Sequence, residues 1–401
     1  MAEKPQLSII SYNKGMFITI EGNRNNHKFF IIQSGNVRIS TAGSSRFERD
    51  HPLLKQGDFF GVLSAMTGRQ EIETAKAETD VVLVAVQKTQ FEGLIQFNTP
   101  VAIKIIQQFS RQMRTLNNTL SERTTKNEDT EDTEVLYRNA LYYQANKEGN
   151  KAFYCYKQYI EHYPNAPNRK AAIESLKDLQ QYNRHGYTVA GSPFIRKYPR
   201  NNIICSEGES GEDMYIIQMG CAKITKIANG AEVILAVLNP GDIFGEMALL
   251  ESKPRSATAA AIEDCTVMVV SKSNFEALAA SKPQIVSRLT QMLADRIWFN
   301  YKVLANMHIP DAAGRFFDML CIHLEKERVP LDPFTAYAFN LTIEQLMKMA
   351  NIQPSDKRHI MAIINDNQKI KLILDKLITS DVTEIIKLAE FYKKQAARRT
   401  R

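Results

Sequence analysis

Two stretches of the chain, 184 residues apart, repeat one pattern. GDIFGEMALLESKPRSATAAA begins at Gly241, and GDFFGVLSAMTGRQEIETAKA begins at Gly57. Seven of the twenty-one aligned positions are identical. Outside these stretches, Glu21-Gly22 matches Glu207-Gly208 and Gly35 matches Gly220, so the offset stays between 184 and 186 residues. A drift this small is what a duplicated domain with minor loop changes produces.

Each copy has the pattern of short β-strands. The segments MFITIEG, KFFIIQSGNVRIS and TDVVLVAVQ of the first copy are rich in β-branched and aromatic residues and are bounded by Gly, Asn and Asp. Apolar residues then recur at helical spacing from Phe91 to Leu120, and the strand pattern returns at Tyr187. The sequence therefore predicts an α+β protein with two β-roll, jelly-roll-like domains, over residues 1–120 and 187–309.

The segment between the two copies has two parts. Residues 121–134, SERTTKNEDTEDTE, are polar and charged, and we interpret them as an exposed linker. Residues 135–186 have a helical pattern in which small, aromatic and terminating residues are placed as in a tetratricopeptide repeat: Ala140, Tyr143, Ala152, Tyr156 and Pro164. One such hairpin cannot bury its own apolar face, so residues 136–179 are expected to pack on a neighbouring domain or a protein partner. A helical spacer with a coincidental pattern is the alternative.

A long helix is predicted over residues 284–308. Its apolar residues form one narrow stripe made of Leu289, Leu293, Ile297, Tyr301 and Leu304. A stripe this narrow and this long fits a helix–helix seam.

Residues 310–401 form the last predicted domain. LTIEQLMKMANIQPSDKRHIMAIINDN predicts a helix, a turn and a second helix, QKIKLILDKLIT alternates like a short hairpin, and DVTEIIKLAEFYKK predicts a final helix.

Composition sets further limits. The formal net charge of +7 is compatible with nucleic-acid binding, and the terminal KKQAARRTR is either a frayed end or a tail that contacts phosphates. The five cysteines are scattered without a C-x-x-C pair, which suits neither a disulfide framework nor a zinc site. No secretion signal and no apolar run of membrane-spanning length is apparent, so we expect a cytoplasmic protein without a membrane partner.

Glu246 and Arg255 are the informative charges of the repeated stretch. An arginine fork binds phosphate through paired charge-assisted hydrogen bonds, and Ser256 adds a hydroxyl donor beside it. A glutamate is an acceptor that suits a ribose hydroxyl. Between small residues, this combination indicates a nucleotide site, with a structural ion pair between Glu246 and Arg255 as the alternative.

The segment FGEMALLESKPRSATA resembles the phosphate-binding cassette of cyclic-nucleotide-binding domains. The resemblance implies that Glu246 binds the ribose 2′-hydroxyl, that Arg255 and Ser256 bind the cyclic phosphate, and that Gly245 and Met247 shape the cassette. It also implies that Leu235 and Ala236 lie near the base. Serine rather than threonine after the arginine favours cAMP over cGMP.

The segment RLTQMLADRIWFNYKVLANMHIPDAAGRFFDML resembles the dimerisation helix and hinge of the Crp/Fnr family of bacterial regulators. The resemblance implies a homodimer through residues 284–308, with adenine contacts from Asn300 and Tyr301. Both depart from the small hydroxyl residues of the family, and Asn300 could instead set the register of a helix seam.

The predicted helix-turn-helix and hairpin resemble the family's winged helix. Ser355, Lys357, Arg358 and His359 would then open the recognition helix and contact duplex DNA. The turn residues Asn351 and Pro354 depart from the family pattern.

The first copy keeps the frame without the ligand groups. Val62 stands at the glutamate position and Glu71 at the arginine position, where a second anion would repel a cyclic phosphate. We therefore predict that the first copy binds no cyclic nucleotide. Arg69 is expected to point elsewhere. A different ligand, a partner surface and a structural role all remain open for this copy.

These inferences predict a cAMP-responsive, dimeric transcription regulator with a winged helix. The alternative is a cyclic-nucleotide-dependent interaction protein that does not bind DNA. P-loop, H-E-x-x-H, G-x-S-x-G and G-x-G-x-x-G motifs are absent from the sequence, so we expect neither catalytic residues nor a metal site, and no enzyme.

Overall fold

A computed structural model describes the chain over residues 7–24, 27–41, 53–124, 133–185, 194–228, 230–251 and 253–399. Close contacts divide it into two units. The central unit comprises residues 89–293. The terminal unit joins residues 7–88 to the chain from residue 294 onward, so it is discontinuous in sequence. Each unit contains one of the two repeated copies.

The first β-roll, in the terminal unit, is built from two antiparallel sheets. Its strands are β1 (Ser8–Tyr12), β2 (Phe17–Thr19), β3 (Lys28–Ser34), β4 (Val37–Ser40), β5 (Leu53–Leu54), β6 (Phe59–Phe60), β7 (Thr74–Ala77) and β8 (Val81–Gln87). One sheet has the order β1-β8-β3-β6 and the other β2-β7-β4-β5. Alternating residues such as Phe30, Ile32 and Leu83 form the core between them. A short helix, α1 (Val62–Thr67), follows β6.

Two helices follow the first roll, α2 (Phe91–Phe97) and α3 (Thr99–Thr124). The helix α3 continues into the segment predicted as a linker, because the polar residues Ser121 to Thr124 do not prevent helix formation. Residues 125–132 of that segment lie outside the described residues.

Three more helices form the helical region of the central unit: α4 (Val135–Ala145), α5 (Gly149–His162) and α6 (Arg169–Asp178). The predicted packing positions Ala140, Tyr143, Ala152 and Tyr156 are all buried. Their core also includes Ile203 and, at its edge, Ile227. Both isoleucines belong to strands of the second β-roll, so the helical region packs on a neighbouring domain of the same chain.

The second β-roll repeats the first strand for strand. It contains β9 (Ile195–Tyr198), β10 (Ile203–Cys205), β11 (Asp213–Met219), β12 (Ala222–Ala228), β13 (Ala231–Leu238), β14 (Ile243–Phe244), β15 (Thr258–Ala261) and β16 (Cys265–Ser271), with the helix α7 (Glu246–Glu251) after β14. Its sheet orders, β14-β11-β16-β9 and β10-β15-β12-β13, correspond to those of the first roll. The α+β class and the duplication predicted from the sequence are therefore confirmed.

The second roll is followed by α8 (Lys272–Ser281) and the long helix α9 (Pro283–Asn306), and α3 packs against α7 and α8. In α9, Leu289, Leu293 and Ile297 are fully buried within the single chain. Tyr301 and Leu304, the last two residues of the predicted stripe, are only half-buried. The homodimer through residues 284–308 stays a prediction, because periodicity reveals a buried face without revealing what buries it.

The C-terminal part of the terminal unit has a winged arrangement. It contains α10 (Ala312–Lys326), β17 (Tyr337–Thr342), α11 (Ile343–Met349), α12 (Lys357–Asp366), β18 (Ile370–Ile373), β19 (Lys376–Thr379) and α13 (Val382–Arg399). The three strands form one sheet in the order β17-β19-β18. The β18–β19 hairpin matches the alternation in QKIKLILDKLIT, and its turn residues Leu374 and Asp375 both have positive φ. Such a turn matches the twist of the flanking strands.

Two further observations bear on the possible functions. In the described part of the chain, no helix has both the length and the apolar character needed to span a bilayer. Those same residues contain no cluster of three or more His, Cys, Asp or Glu side chains that could hold a metal ion.

Candidate functional site

The repeated stretch of the second roll forms a cassette in which a short helix turns between two strands. Gly245 joins β14 to α7 with a φ of +77°, a conformation that disfavours any residue with a side chain. A Cβ at this position would lie 2.7 Å from Arg255 Nη1 and 3.3 Å from the carbonyl oxygen of Asp213. The glycine thus lets the backbone approach the arginine closely.

Arg255 lies in the wall of this cassette, with only 6% of its surface exposed. Its Nη1 donates a hydrogen bond of 2.7 Å to the carbonyl oxygen of Gly245, and its guanidinium carbon lies 5.4 Å from the centre of the Tyr215 ring. Within the described part of the chain, Arg255 Nε has no hydrogen-bond partner. A buried donor without a partner is costly, so this group favours an added acceptor.

The surroundings keep Arg255 charged. Burial alone would lower its pKa, but the neighbouring Cys205, Tyr215, Glu209 and Asp213 raise it above the ordinary value. Burial also raises the pKa of Cys205 to about 11 and that of Tyr215 well above its ordinary value. The site therefore presents a buried cation suited to an anionic ligand.

The other cassette residues predicted from the sequence lie beside Arg255. Glu246 is the first residue of α7 and is 2% exposed. Met247 is buried, and the half-buried Ser256 has its Oγ 3.8 Å from Met247 Sδ. The structure thus brings Gly245, Glu246, Met247, Arg255 and Ser256 together in one local site.

The two residues predicted to lie near the base are on β13, the edge strand of its sheet. Leu235 is 55% exposed, whereas Ala236 packs against the core of the roll. The two side chains therefore have different surroundings, and Leu235 is the one available to a ligand.

Asn300 and Tyr301 lie half-buried in the C-terminal half of α9. This half belongs to the terminal unit, whereas the cassette belongs to the central unit. Their adenine contacts stay a prediction.

The predicted DNA-contacting residues lie at the start of α12 and in the turn before it. The helix α11 begins with a capping box between Thr342 and Gln345, and Ile360 and Ile364 anchor α12 in the core. Ser355, Arg358 and His359 are exposed. Lys357 Nζ lies 2.9 Å from Glu344 Oε1, so part of its charge is paired within the chain.

The first roll holds a different residue in the equivalent frame. In the second roll, the N–H of Gly208 donates to the carbonyl of Arg255, and the N–H of Arg255 donates to the carbonyl of Glu209. In the first roll, the same two bonds link Gly22 to Glu71 and Glu71 to Asn23. Glu71 and Arg255 therefore occupy equivalent positions in the two folded rolls as well as in the aligned sequences. Val62, at the glutamate position, is buried.

Arg69 of the first roll is directed away from that cassette. Its Nη1 lies 2.6 Å from Asp295 Oδ1, and its guanidinium carbon lies 3.8 Å from the centre of the Trp298 ring, both on α9. Its Nη2 contacts the carbonyl oxygens of Glu325 and Lys326 at the end of α10, both at 3.4 Å. In return, Arg328 Nη2 donates to the carbonyl of Thr67 at 3.1 Å. The first roll is thus attached, through residues that follow α1, to α9 and to the end of α10.

Comparison with known proteins defines the class. Residues 9–98 and 195–282 each match the family model of the cyclic nucleotide-binding domain. The chain therefore contains two domains of this class, and the cassette around Arg255 lies in the second.

The relatives identify the type of regulator that the chain resembles. The cAMP-activated global transcriptional regulator CRP of Salmonella typhimurium is 28% identical over 178 residues, which cover 44% of this chain and 84% of that protein. The CRP-like cAMP-activated global transcriptional regulator of Mycobacterium tuberculosis is 31% identical over 119 residues, or 29% of this chain and 53% of that protein. The crystal structure of a CRP-family transcriptional regulator from Thermus thermophilus aligns with a TM-score of 0.35 and 17% identity, covering 48% of this chain and 96% of that one. The chain is similar to Crp/Fnr-like cyclic-nucleotide-binding regulators.

Sequence reasoning missed two groups of residues around these cassettes. Tyr154, Tyr163 and Glu209 join the helical region to the second roll, and the contacts of Arg69 join the first roll to α9. The Glu-Gly pair at 207–208, repeated at 21–22, marked the turn that the tyrosines contact. The tyrosines gave no comparable signal, because they are part of a helical packing pattern.

Proposed function

We propose that this chain is a cytoplasmic, cAMP-responsive transcription regulator that binds the nucleotide in its second β-roll. The observation that carries the proposal is the buried Arg255 cation, whose Nε has no partner within the described residues. The cyclic phosphate would accept from this arginine and from Ser256, and Glu246 would accept from the ribose 2′-hydroxyl. The names of the relatives support cAMP as the nucleotide and transcription as the process. The proposal includes no catalytic step.

The proposed mechanism is a population shift. A ligand that binds one arrangement of the chain more tightly favours that arrangement by its difference in affinity. Asn300 and Tyr301 on α9 would provide such a difference if they contact the base in one arrangement only. The proposal includes the homodimer through residues 284–308 that the resemblance to the Crp/Fnr family implies.

Calorimetric titration tests nucleotide binding. The full chain should bind cAMP more tightly than cGMP, and Arg255→Ala should abolish measurable binding of both. Retained micromolar affinity in Arg255→Ala would refute the site.

Titration with duplex DNA tests the second half of the proposal. Binding through Ser355, Arg358 and His359 should weaken steeply with salt, because phosphate contacts release counterions. The matched comparison is Arg358→Ala against Lys357→Ala, since Lys357 is already paired with Glu344 and should contribute less. Absence of binding at low salt, with cAMP present, would remove the DNA-binding role.

A cyclic-nucleotide-dependent interaction protein is the second candidate. The helical region favours it, because this region packs on the second roll and contacts the turn that supports Arg255. Such a region could change its outer surface when ligand binds. Failure of DNA binding together with retained cAMP binding would select this candidate.

A further inference from the structure

The turn formed by residues 206–209 supports Arg255 from the side of the strand β10. Both main-chain groups of Arg255 are bound to this turn: its carbonyl accepts from the N–H of Gly208, and its N–H donates to the carbonyl of Glu209, each at 2.9 Å. The position of the arginine backbone, and with it the origin of the guanidinium, therefore depends on the geometry of the 206–209 turn.

Two tyrosines of the helical region hold the 206–209 turn by hydrogen bonds. Tyr163 donates its hydroxyl to the carbonyl of Gly208 at 2.7 Å. Tyr154 donates its hydroxyl to Glu209 Oε2 at 2.8 Å. The same carboxylate oxygen accepts from the N–H of Ser206 at 2.8 Å, so the Glu209 side chain closes the turn on itself while Tyr154 binds it from outside.

Packing reinforces these bonds. Gly208 has a φ of +80°, and a Cβ placed on it would lie 3.2 Å from the Cβ of Val135 at the start of α4. Cys155 Sγ lies 3.4 Å from Ser206 Oγ, and both residues are fully buried. The turn is thus enclosed by α4 and α5 as well as hydrogen-bonded to them.

From these contacts we infer that the helical region is a clamp for the phosphate-binding arginine, and that Tyr154 and Tyr163 are positioning residues for Arg255. The inference rests on the proposed binding of cAMP at Arg255. An arginine binds an anion in a fixed geometry more tightly when its main chain is already held in place before the ligand arrives. Less conformational entropy is then lost on binding. The helical region provides this order through a chain of contacts from the tyrosine hydroxyls to the turn and from the turn to Arg255.

The experiment uses the full chain with Tyr154→Phe and Tyr163→Phe, singly and together. Each change removes one hydroxyl and leaves the ring. Calorimetric titration with cAMP should show about fivefold to tenfold weaker binding by the double variant, at the lower end of ordinary coupling between sites. The matched control is Tyr156→Phe, whose hydroxyl donates to Gln144 Oε1 within the helical region and is not bonded to the turn. The control should bind cAMP as the unaltered chain does.

A double-mutant cycle separates positioning from general loosening. If the tyrosines act through Arg255, their removal should have little further effect in an Arg255→Lys background, because lysine cannot form the bidentate contact that depends on orientation. Equal losses in both backgrounds, or the same loss in Tyr156→Phe, would overturn the inference.

Amide hydrogen exchange gives a readout that needs no ligand. The N–H of Arg255 should exchange faster in Tyr154→Phe with Tyr163→Phe than in the unaltered chain or in Tyr156→Phe, because its acceptor turn is less well held. Unchanged exchange at Arg255 would contradict the clamp even if cAMP binding itself were absent. Conversely, failure of the unaltered chain to bind cAMP, with faster exchange in the double variant, would reject the proposed function and leave the clamp in place.

Discussion

The two β-rolls hold residues 71 and 255 by the same pair of main-chain hydrogen bonds, and yet these residues have opposite charge. In the second roll, Arg255 is a buried cation that faces Gly245 and has an unsatisfied Nε among the described residues. In the first roll, the equivalent Glu71 is buried, and it is Arg69, two residues earlier, that forms the prominent contact, with α9. The main-chain hydrogen bonds at this position therefore form whether or not the residue there can bind a ligand. One copy directs an arginine into its cassette, and the other directs an arginine out of it.

This contrast bears on the role of the first roll. The contacts of Arg69 with Asp295, Trp298 and the end of α10 are internal to the terminal unit. The first roll is thus attached to α9 and α10 through these contacts. A structural role is consistent with them, and a different ligand and a partner surface stay open as well.

The largest effect is expected at Arg255. Replacing it by alanine should take cAMP binding below the measurable range, a loss of more than about 3 kcal/mol or 150-fold, because a buried, hydrogen-bonded charge contact is lost. The matched change in the first roll, Glu71→Ala, should leave cAMP affinity unchanged. Titration of both variants by calorimetry checks the comparison, and equal losses would show that the first roll also contributes to the site.

Acidification should lower the stability of the terminal unit, which contains the first roll. Burial, with a smaller contribution from the positive charge of Lys326, lowers the pKa of His323 on α10 to about 4. Unfolded histidine titrates near pH 6.5, so the folded chain binds fewer protons between these values. The stability contributed by neutral His323 is present above about pH 6.5 and is lost as the pH falls toward 4, by about 3 kcal/mol.

Chemical unfolding followed by the fluorescence of Trp298, the single tryptophan of the chain, measures this loss within the same unit. The control variant His323→Phe keeps an aromatic ring beside Phe299 and should remove most of the pH dependence. A slope that persists unchanged in His323→Phe would assign it to other groups.

Removal of Arg69, which is directed away from the cassette, should have the next largest effect, on the stability of the terminal unit. Arg69→Ala removes an ion pair, a cation–π contact and two carbonyl contacts, and should lower the free energy of unfolding of the terminal unit by about 2 kcal/mol. Arg69→Lys retains the charge without the planar stacking, so its loss should be about half as large. Urea unfolding monitored at Trp298 distinguishes them. Equal stability of all three chains would mean that the first roll is attached by other contacts.

The smallest effect is expected from transplanting the site. Val62→Glu with Glu71→Arg places both charged ligand groups in the first roll, but Ile72 stands where the second roll has Ser256, so one hydroxyl donor is missing. Without this donor, a new site should bind cAMP with a dissociation constant of about 1 mM, near 4 kcal/mol of binding free energy. Calorimetry in the Arg255→Ala background isolates this site. Micromolar affinity would show that the two charged groups alone account for the difference in cAMP binding between the two rolls.

The parts of the molecule that the sequence predicted are local. Glu246 and Arg255 are nine residues apart, and their chemistry could be assigned from the residue types and the glycine between strand and helix. Alternating apolar residues likewise predicted the rolls, and the spacing of Leu289, Leu293 and Ile297 predicted a buried face on α9. The sequence could not indicate what covers this face, because a helical period carries no information about its neighbour.

The missed contacts join residues that are distant in sequence. Tyr154 and Glu209 are 55 residues apart, and a tyrosine in a helical repeat is equally suited to packing and to hydrogen bonding. Arg69 was predicted to point away from the pocket, and it does, but its target on α9 could not be deduced from strand phase. Lys357 has an exposed, basic pattern, and only the structure shows that Glu344 neutralises part of its charge.

The ion pair between Arg69 and Asp295 also has a consequence for how the protein is made. The two residues are 226 positions apart, so at ribosomal rates of about 5–20 residues per second α9 is synthesised roughly 11 to 45 s after the first roll. During that interval the first roll must persist without the helix that receives Arg69. Contacts of this sequence separation form late and slowly in folding. The contact between Arg69 and Asp295 is therefore a late step of folding, formed only after α9 has been synthesised.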